Sequence, residues 1–160
     1  MSVFVADEQP RTVDADRLMA LAAYVLSDQR VPSSMELNVL CVDADAMAAL
    51  NAQHMGKEGP TDVLAFPMDL PGHVEDDEVG ILGDVVLCPQ VAADQAGEHG
   101  QSEAGEVDLL LVHGILHLLG HDHAEPDEQA VMFGLTDRLL AGFGTAADAG
   151  SGPGGDDDPR

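Results

Sequence analysis

His113, His117 and His123 fall in the run His113-Gly114-Ile115-Leu116-His117-Leu118-Leu119-Gly120-His121-Asp122-His123, and the first two sit four residues apart in an apolar, helix-forming stretch. On an α-helix, positions i and i+4 lie one above the other on a single face, so two imidazoles at this spacing converge on one ion. Gly120 tolerates the left-handed conformation that ends many helices, and the turn it allows swings His123 back toward the first two. Three neutral imidazoles with a fourth position open describe a catalytic site for one zinc ion (Zn2+) per chain, working through its coordinated water; a structural site would be closed by four protein ligands. His121 is out of register and reads as a rim residue or an outer neighbour of the site. Asp122 either steadies a ligand's tautomer from behind or serves as a turn residue beside the glycine.

The three histidines and Gly120 also keep the register of H-E-x-x-H-x-x-G-x-x-H, the zinc helix of the metzincin proteases. Where those proteases place the glutamate that takes a proton from water, this chain has Gly114, which has no side chain. The metal hardware therefore stands without the protease's base. A metalloprotease is the least favoured activity on this ground, and detectable peptide hydrolysis would revive it.

The elements that must position these groups can be read from patterning. Val3 and Val5 with Phe4 suggest a short strand from Ser2 to Ala6. Asp14 opens a helix whose apolar positions Leu18, Leu21, Ala22, Val25 and Leu26 follow the helical period. Pro32 to Ser34 break the chain before a buried strand from Glu36 to Val42, and Asp43 then caps a helix from Ala44 to Gln53. Thr61 to Phe66 reads as a strand ended by Pro67, and an acidic loop follows from Pro71 to Glu78. Gly80 to Cys88 is the next strand, Gln90 to His99 a helix, and Glu103 to Leu119 the helix that carries the ligands. It is apolar nearly all round, as a central helix in a small domain would be. Pro126 suits the first turn of a last helix through Val131, Met132, Leu135, Leu139 and Leu140. Beyond Phe143 the Gly, Ala and Asp composition predicts a disordered tail, so residues 1–143 form the domain and 144–160 the tail. The expected fold is α+β (mixed α/β), a single small domain with a sheet of about four strands, flanking helices and a metzincin-like zinc helix at its centre.

Composition bounds the rest. The chain has 160 residues, enough for one real core, and is 45% hydrophobic but only 3% aromatic, so packing must be aliphatic. Cys41 and Cys88 sit in apolar runs without a partner at a metal or redox spacing and read as buried free thiols. With no secretory leader and no apolar run near the length that spans a bilayer, the expected home is the cytoplasm, without a membrane partner. The formal net charge is -24, of which residues 141–160 carry only -3. That acidity belongs to the folded body and reads as a solvated surface. Only Arg11, Arg17, Arg30, Lys57, Arg138 and Arg160 could neutralise phosphates, which argues against broad backbone contact with nucleic acid and against DNA as a partner.

Residues 113–123 fit every position of H-G-x-L-H-L-x-G-H/Y-D-H, the signature of the YbeY family of metal-dependent endoribonucleases. The chain resembles that family in two further segments. Pro60-Thr61-Asp62-Val63-Leu64-Ala65-Phe66-Pro67 matches P-T-D-V-L-S-F-P with alanine for the serine, and Leu82-Gly83-Asp84-Val85-Val86-Leu87-Cys88 matches L-G-D-I/V-x-I/L-C/S. The resemblance covers residues 35–142 by motif and the first strand and helix by layout. It implies a zinc-dependent hydrolase, with His113, His117 and His123 as ligands. It also implies single-stranded RNA as substrate, in maturation of the 3′ end of small-subunit ribosomal RNA and in ribosome quality control. Many relatives carry a functional arginine in a stretch like L-N-x-x-Y/F-R; from Leu50-Asn51, that position aligns here with Met55. Lys57 is the nearby cation that could contact a phosphate in its place.

A zinc ion can polarise a phosphoryl oxygen without a dedicated carboxylate, so phosphodiester cleavage suits Gly114 better than peptide hydrolysis does. By analogy with the metzincin layout, the strand Thr61 to Phe66 or the strand Gly80 to Cys88 flanks the metal cleft as an edge for extended substrate. Thr61, Asp62 and Asp84 then either line that cleft or do turn and cap chemistry. A second function remains open. The chain would be a ribosome-associated assembly factor with weak or no nuclease activity of its own, brought to anionic RNA by the ribosomal small subunit or a ribosomal protein. The charge and Met55 favour it.

Overall fold

The computed structural model describes residues 2–69, 80–121 and 125–150, the last five of these by backbone alone. The order is β1 (Ser2–Glu8), α1 (Ala15–Asp28), β2 (Met35–Val42), α2 (Ala44–Met55), β3 (Val63–Pro67), β4 (Gly80–Leu87), α3 (Pro89–His99), α4 (Glu103–Leu118) and α5 (Pro126–Gly150). The acidic loop expected between Pro71 and Glu78 lies outside the described residues. Among these elements no helix is long and apolar enough to cross a membrane.

The strands form one mixed sheet in the order β1-β2-β4-β3. β1 pairs with β2 and β2 with β4 in parallel, whereas β3 runs antiparallel to β4, so β3 is an edge and β4 is interior. The fold is thus α+β with a four-stranded sheet, as the element order implied. β4 cannot offer the edge that the sequence allowed it as an alternative to β3, because both its sides are paired.

Alternation along the strands sorts the two faces. Leu37, Val39 and Cys41 of β2, with Val85 and Leu87 of β4, point into the main core beneath α1, α4 and α5. Val42, Leu64, Val86 and Cys88 point the other way, where Met47 and Leu50 of α2 cover them. α1 buries Leu18, Leu21, Ala22, Val25 and Leu26, the residues its period selects, and Asp14 caps it by accepting from the Arg17 amide. Asp43 caps α2 by accepting from the Ala46 amide at 2.8 Å. Both cysteines are buried and unpaired, and burial above all pushes the Cys41 thiol up to about 11, which makes it inert as a thiolate at neutral pH.

α5 continues to Gly150, through the first seven residues of the segment expected as a tail, and residues 151–160 lie outside the described residues. Alanines at 146, 147 and 149 have high intrinsic helix propensity, and the Thr145 hydroxyl donates back to the Ala141 carbonyl at 3.1 Å.

Candidate metal-binding cleft

α4 starts where Ser102 Oγ accepts from the Gly105 amide at 3.0 Å, with Glu103 and Glu106 in the first turn to complement the positive helix end. From Glu106 to Leu118 the helix is buried at every position except Leu109, His113 and His117, which are half-buried. Those three are spaced by four, so they form one stripe. His113 and His117 lie on that stripe one turn apart, and both line a solvent-reaching cleft.

The helix ends in a Schellman motif. The Gly120 amide donates to the His117 carbonyl and the His121 amide to the Leu116 carbonyl, both at 3.0 Å, with Gly120 at φ 99°. This is the glycine turn that the spacing required. Asp122 and His123, which follow it, lie outside the described residues.

The cleft has a volume of about 600 Å³ and is bounded by three elements. α4 supplies Leu110, His113, Gly114 and His117; the edge strand β3 and its approach supply Thr61 to Ala65 and Pro67; the end of α2 and the turn after it supply Asn51, Met55 and Lys57. Three segments far apart in sequence therefore meet at the two histidines. Met55, at the position aligned with the family arginine, faces this cleft and is exposed.

Asn51 is a residue the sequence reading did not select. It is buried, its side-chain amide donates to the Gly59 carbonyl at 2.9 Å, and its own carbonyl accepts from the Lys57 amide at 3.3 Å. It thereby pins both ends of the turn that carries Lys57. Phe133 of α5 is the other: its ring stacks on His113 with centroids 5.4 Å apart and planes 19° apart. No local pattern announces a contact between helices across such a separation.

Gly114 has a packing reason. A Cβ built there would lie 2.6 Å from Val85 Cγ1 and 3.2 Å from Val63 Cγ2, so α4 rests on β4 and β3 through a bare backbone. A glutamate in the protease position would collide with the sheet before it could reach water.

The other selected residues divide. Thr61 and Asp62 line the cleft, yet Asp62 Oδ1 accepts from the Val63 amide at 2.8 Å, which is turn chemistry at the start of β3. Asp84 is not in the cleft. It alternates with Gly83 and Val85, which face α4, so it points to the opposite side of the sheet, where the Asn38 amide donates to it at 3.0 Å. The sequence left cleft lining and turn or cap chemistry both open for Asp84, because strand register cannot be seen from one strand alone. His121 lines a separate shallow depression of about 280 Å³ with Asp127, Glu128 and Val131.

Two neutral imidazoles on one helical face suit a borderline divalent ion such as zinc in donor type and spacing. Among the described residues no group of three or more histidine, cysteine or carboxylate side chains forms, the third histidine of the sequence reading being outside them.

Comparison with known proteins follows the same lines. The family described as Endoribonuclease YbeY matches residues 4–144. A Thermobifida fusca protein named Endoribonuclease YbeY is 54% identical over 148 residues, covering 89% of this chain and 94% of that one. A Kineococcus radiotolerans protein of the same name is 55% identical over 150 residues, covering 89% and 87%. A solution structure from Thermotoga maritima aligns with a TM-score of 0.58 at 26% identity, covering 98% of this chain and 97% of its own.

Proposed function

The chain belongs to the YbeY family, and from that premise we propose that it is an endoribonuclease, a hydrolase of RNA phosphodiester bonds, with its reaction centre at His113 and His117. The observation that carries this reading is that both imidazoles line one cleft alongside β3, the edge strand of the described sheet. His113, His117 and His123 would hold one zinc ion, which when bound supplies Lewis-acid polarisation of a phosphoryl oxygen and makes water more acidic.

The chain's own residues supply orientation and exclusion. Phe133, stacked on the His113 ring, would steady its plane. Asn51 holds the turn that presents Lys57, whose ammonium would meet a substrate phosphate at the cleft wall. Gly114 puts no carboxylate at the protease's base position, which suits a phosphodiester and disfavours an amide.

The finer reading is that the substrate is single-stranded ribosomal RNA, at the 3′ end of the small-subunit molecule, and that the small ribosomal subunit or its proteins are the partners in the cytoplasm. An edge strand accommodates extended chains rather than a duplex. The test is cleavage of a single-stranded RNA spanning that end, with zinc, with chelator and with His117→Ala. Activity that needs both zinc and His117 is expected; equal activity in mutant and wild type would sink intrinsic catalysis. A recruited assembly factor is the second reading, favoured by Met55 in the cleft and the charge of -24. It requires binding to ribosomal particles that survives His117→Ala.

A further inference from the structure

The walls of the cleft are poorly built for a polyanion. Among the described residues lining it, Lys57 is the one Lys or Arg, and it faces a wall that also holds Asp62. The other described arginines are committed elsewhere or lie apart: Arg11 pairs with Glu103, Arg17 with Asp108 and Arg138 with Asp28, while Arg30 is exposed at the end of α1. Lys57 is in none of the ion pairs of the described residues.

What the cleft does have is exposed apolar surface. Among the described residues five large hydrophobic side chains are exposed; Met55, at 53%, lines the cleft, while Met68 at 62% and Phe133 at 43% belong to segments that border it. Met55 lines the cleft, Met68 follows directly on Pro67 of its wall, and Phe133 lies against His113. Exposed apolar groups clustered at a binding site mark a surface that something covers. A flat ring and two polarisable thioethers offer contacts to the faces of nucleobases, which phosphate cannot use.

We propose that the cleft takes single-stranded RNA by its unstacked bases, on the rim formed by Met55, Met68 and Phe133, with a single phosphate held at Lys57. Recognition would then be mostly apolar, and a chain of net charge -24 needs no broad cationic track to hold its substrate. Paired RNA is excluded because its bases are already stacked. This inference rests on the endoribonuclease reading but concerns how substrate is held, not whether it is cut.

The experiment is fluorescence-anisotropy binding of a short 2′-O-methylated single-stranded RNA to the full chain across a salt series, beside the same oligomer with its bases removed. One phosphate contact on a single strand gives a slope of log affinity against log salt of about -0.7. Loss of the bases is expected to weaken binding by at least about tenfold. Met68→Ala and Phe133→Ala should each weaken the base-bearing oligomer by about five- to a hundredfold and leave the abasic one unchanged. Met55→Arg should steepen the slope by about 0.7. A wild-type slope of about -3 or steeper, or equal binding of the abasic strand, would overturn the inference. Either result leaves the nuclease reading standing, since that reading falls only if unmodified RNA is not cleaved.

Discussion

In the first half of α4, Glu106 and Asp108 are as buried as the leucines beside them, and each is met by a partner from another segment. Glu106 accepts from Gln101 at 2.6 Å and lies 3.1 Å from His99 Nδ1; Asp108 accepts from Arg17 of α1 at 2.9 and 3.2 Å. In the second half the polar side chains are His113 and His117, and both line a cleft of about 600 Å³. One helix therefore carries two kinds of polar group. Carboxylates whose hydrogen bonds stay inside the fold serve packing, because an unpaired buried charge is costly. Imidazoles that line a cleft can also meet something that enters it. The contrast teaches that burial along a helix does not separate structural from functional polar residues; the destination of each side chain does.

The sharpest break of this contrast is His117→Ala. It removes a cleft-lining, half-buried group, so the fold should survive while RNA cleavage falls by at least about a hundredfold. Circular dichroism and a cleavage time course read the two halves of that statement separately, and unfolding of the variant would show that the second half of α4 is structural after all. The next effect is in the other half. Asp108→Ala leaves the Arg17 guanidinium with only the Phe143 ring, 5.3 Å from its centroid, and should lower stability by about 1–3 kcal/mol with little change in cleavage per folded molecule. Denaturant titration measures it; a cleavage defect larger than the folded-fraction loss would erase the division between the halves.

Gly114→Ala probes the boundary between them. The new methyl gains about 1 kcal/mol of helix propensity, but it meets Val85, a β-branched residue held in an interior strand, and overpacking typically costs about 1–3 kcal/mol. A net loss of about 1 kcal/mol is expected in thermal melts. A neutral or stabilised variant would mean that α4 can lift from the sheet, and that the missing glutamate needs another explanation.

The legible parts of this molecule were the local ones. Leu18, Leu21, Ala22, Val25 and Leu26 could be read as one buried face because a helix repeats within a few residues. Asp43, Gly120 and the spacing of His113 and His117 could be read because caps, turns and i+4 contacts are set by neighbours in the chain. What depended on pairing between distant segments was hidden. Whether Asp84 lines the cleft was left open, since its direction follows from register with β2 and β3. Asn51, Phe133 and the Arg17 partner of Asp108 gave no signal, because each contact joins elements whose approach no periodicity encodes. Even Gly114 was visible only as an absent base, and its cause, Val85 against the helix, needed the fold.

The smallest expected effect compares two aspartates with arginine partners. Asp108, buried, has its carboxyl pushed up from the usual range by desolvation, which outweighs the hydrogen bond and charge of Arg17. Asp28, near the surface, is held below that range by the Arg138 hydrogen bond above all. The signs of their pH effects are opposite. The folded state holds the Asp108 proton more tightly than the unfolded chain does, so its contribution is fully present below the unfolded value of about 3.9 and is lost as pH rises through the folded one. The Asp28 contribution is present above about 3.9 and is lost as pH falls through its lowered value. Asp108→Asn should therefore flatten the stability curve on the side above about pH 3.9, and Arg138→Ala on the side below it, the second more weakly because that pair is exposed and screened by salt. Melts across the acid range in low and high salt separate the two. If both variants flattened the same side, burial would not be what distinguishes the carboxylate inside α4 from one at the surface.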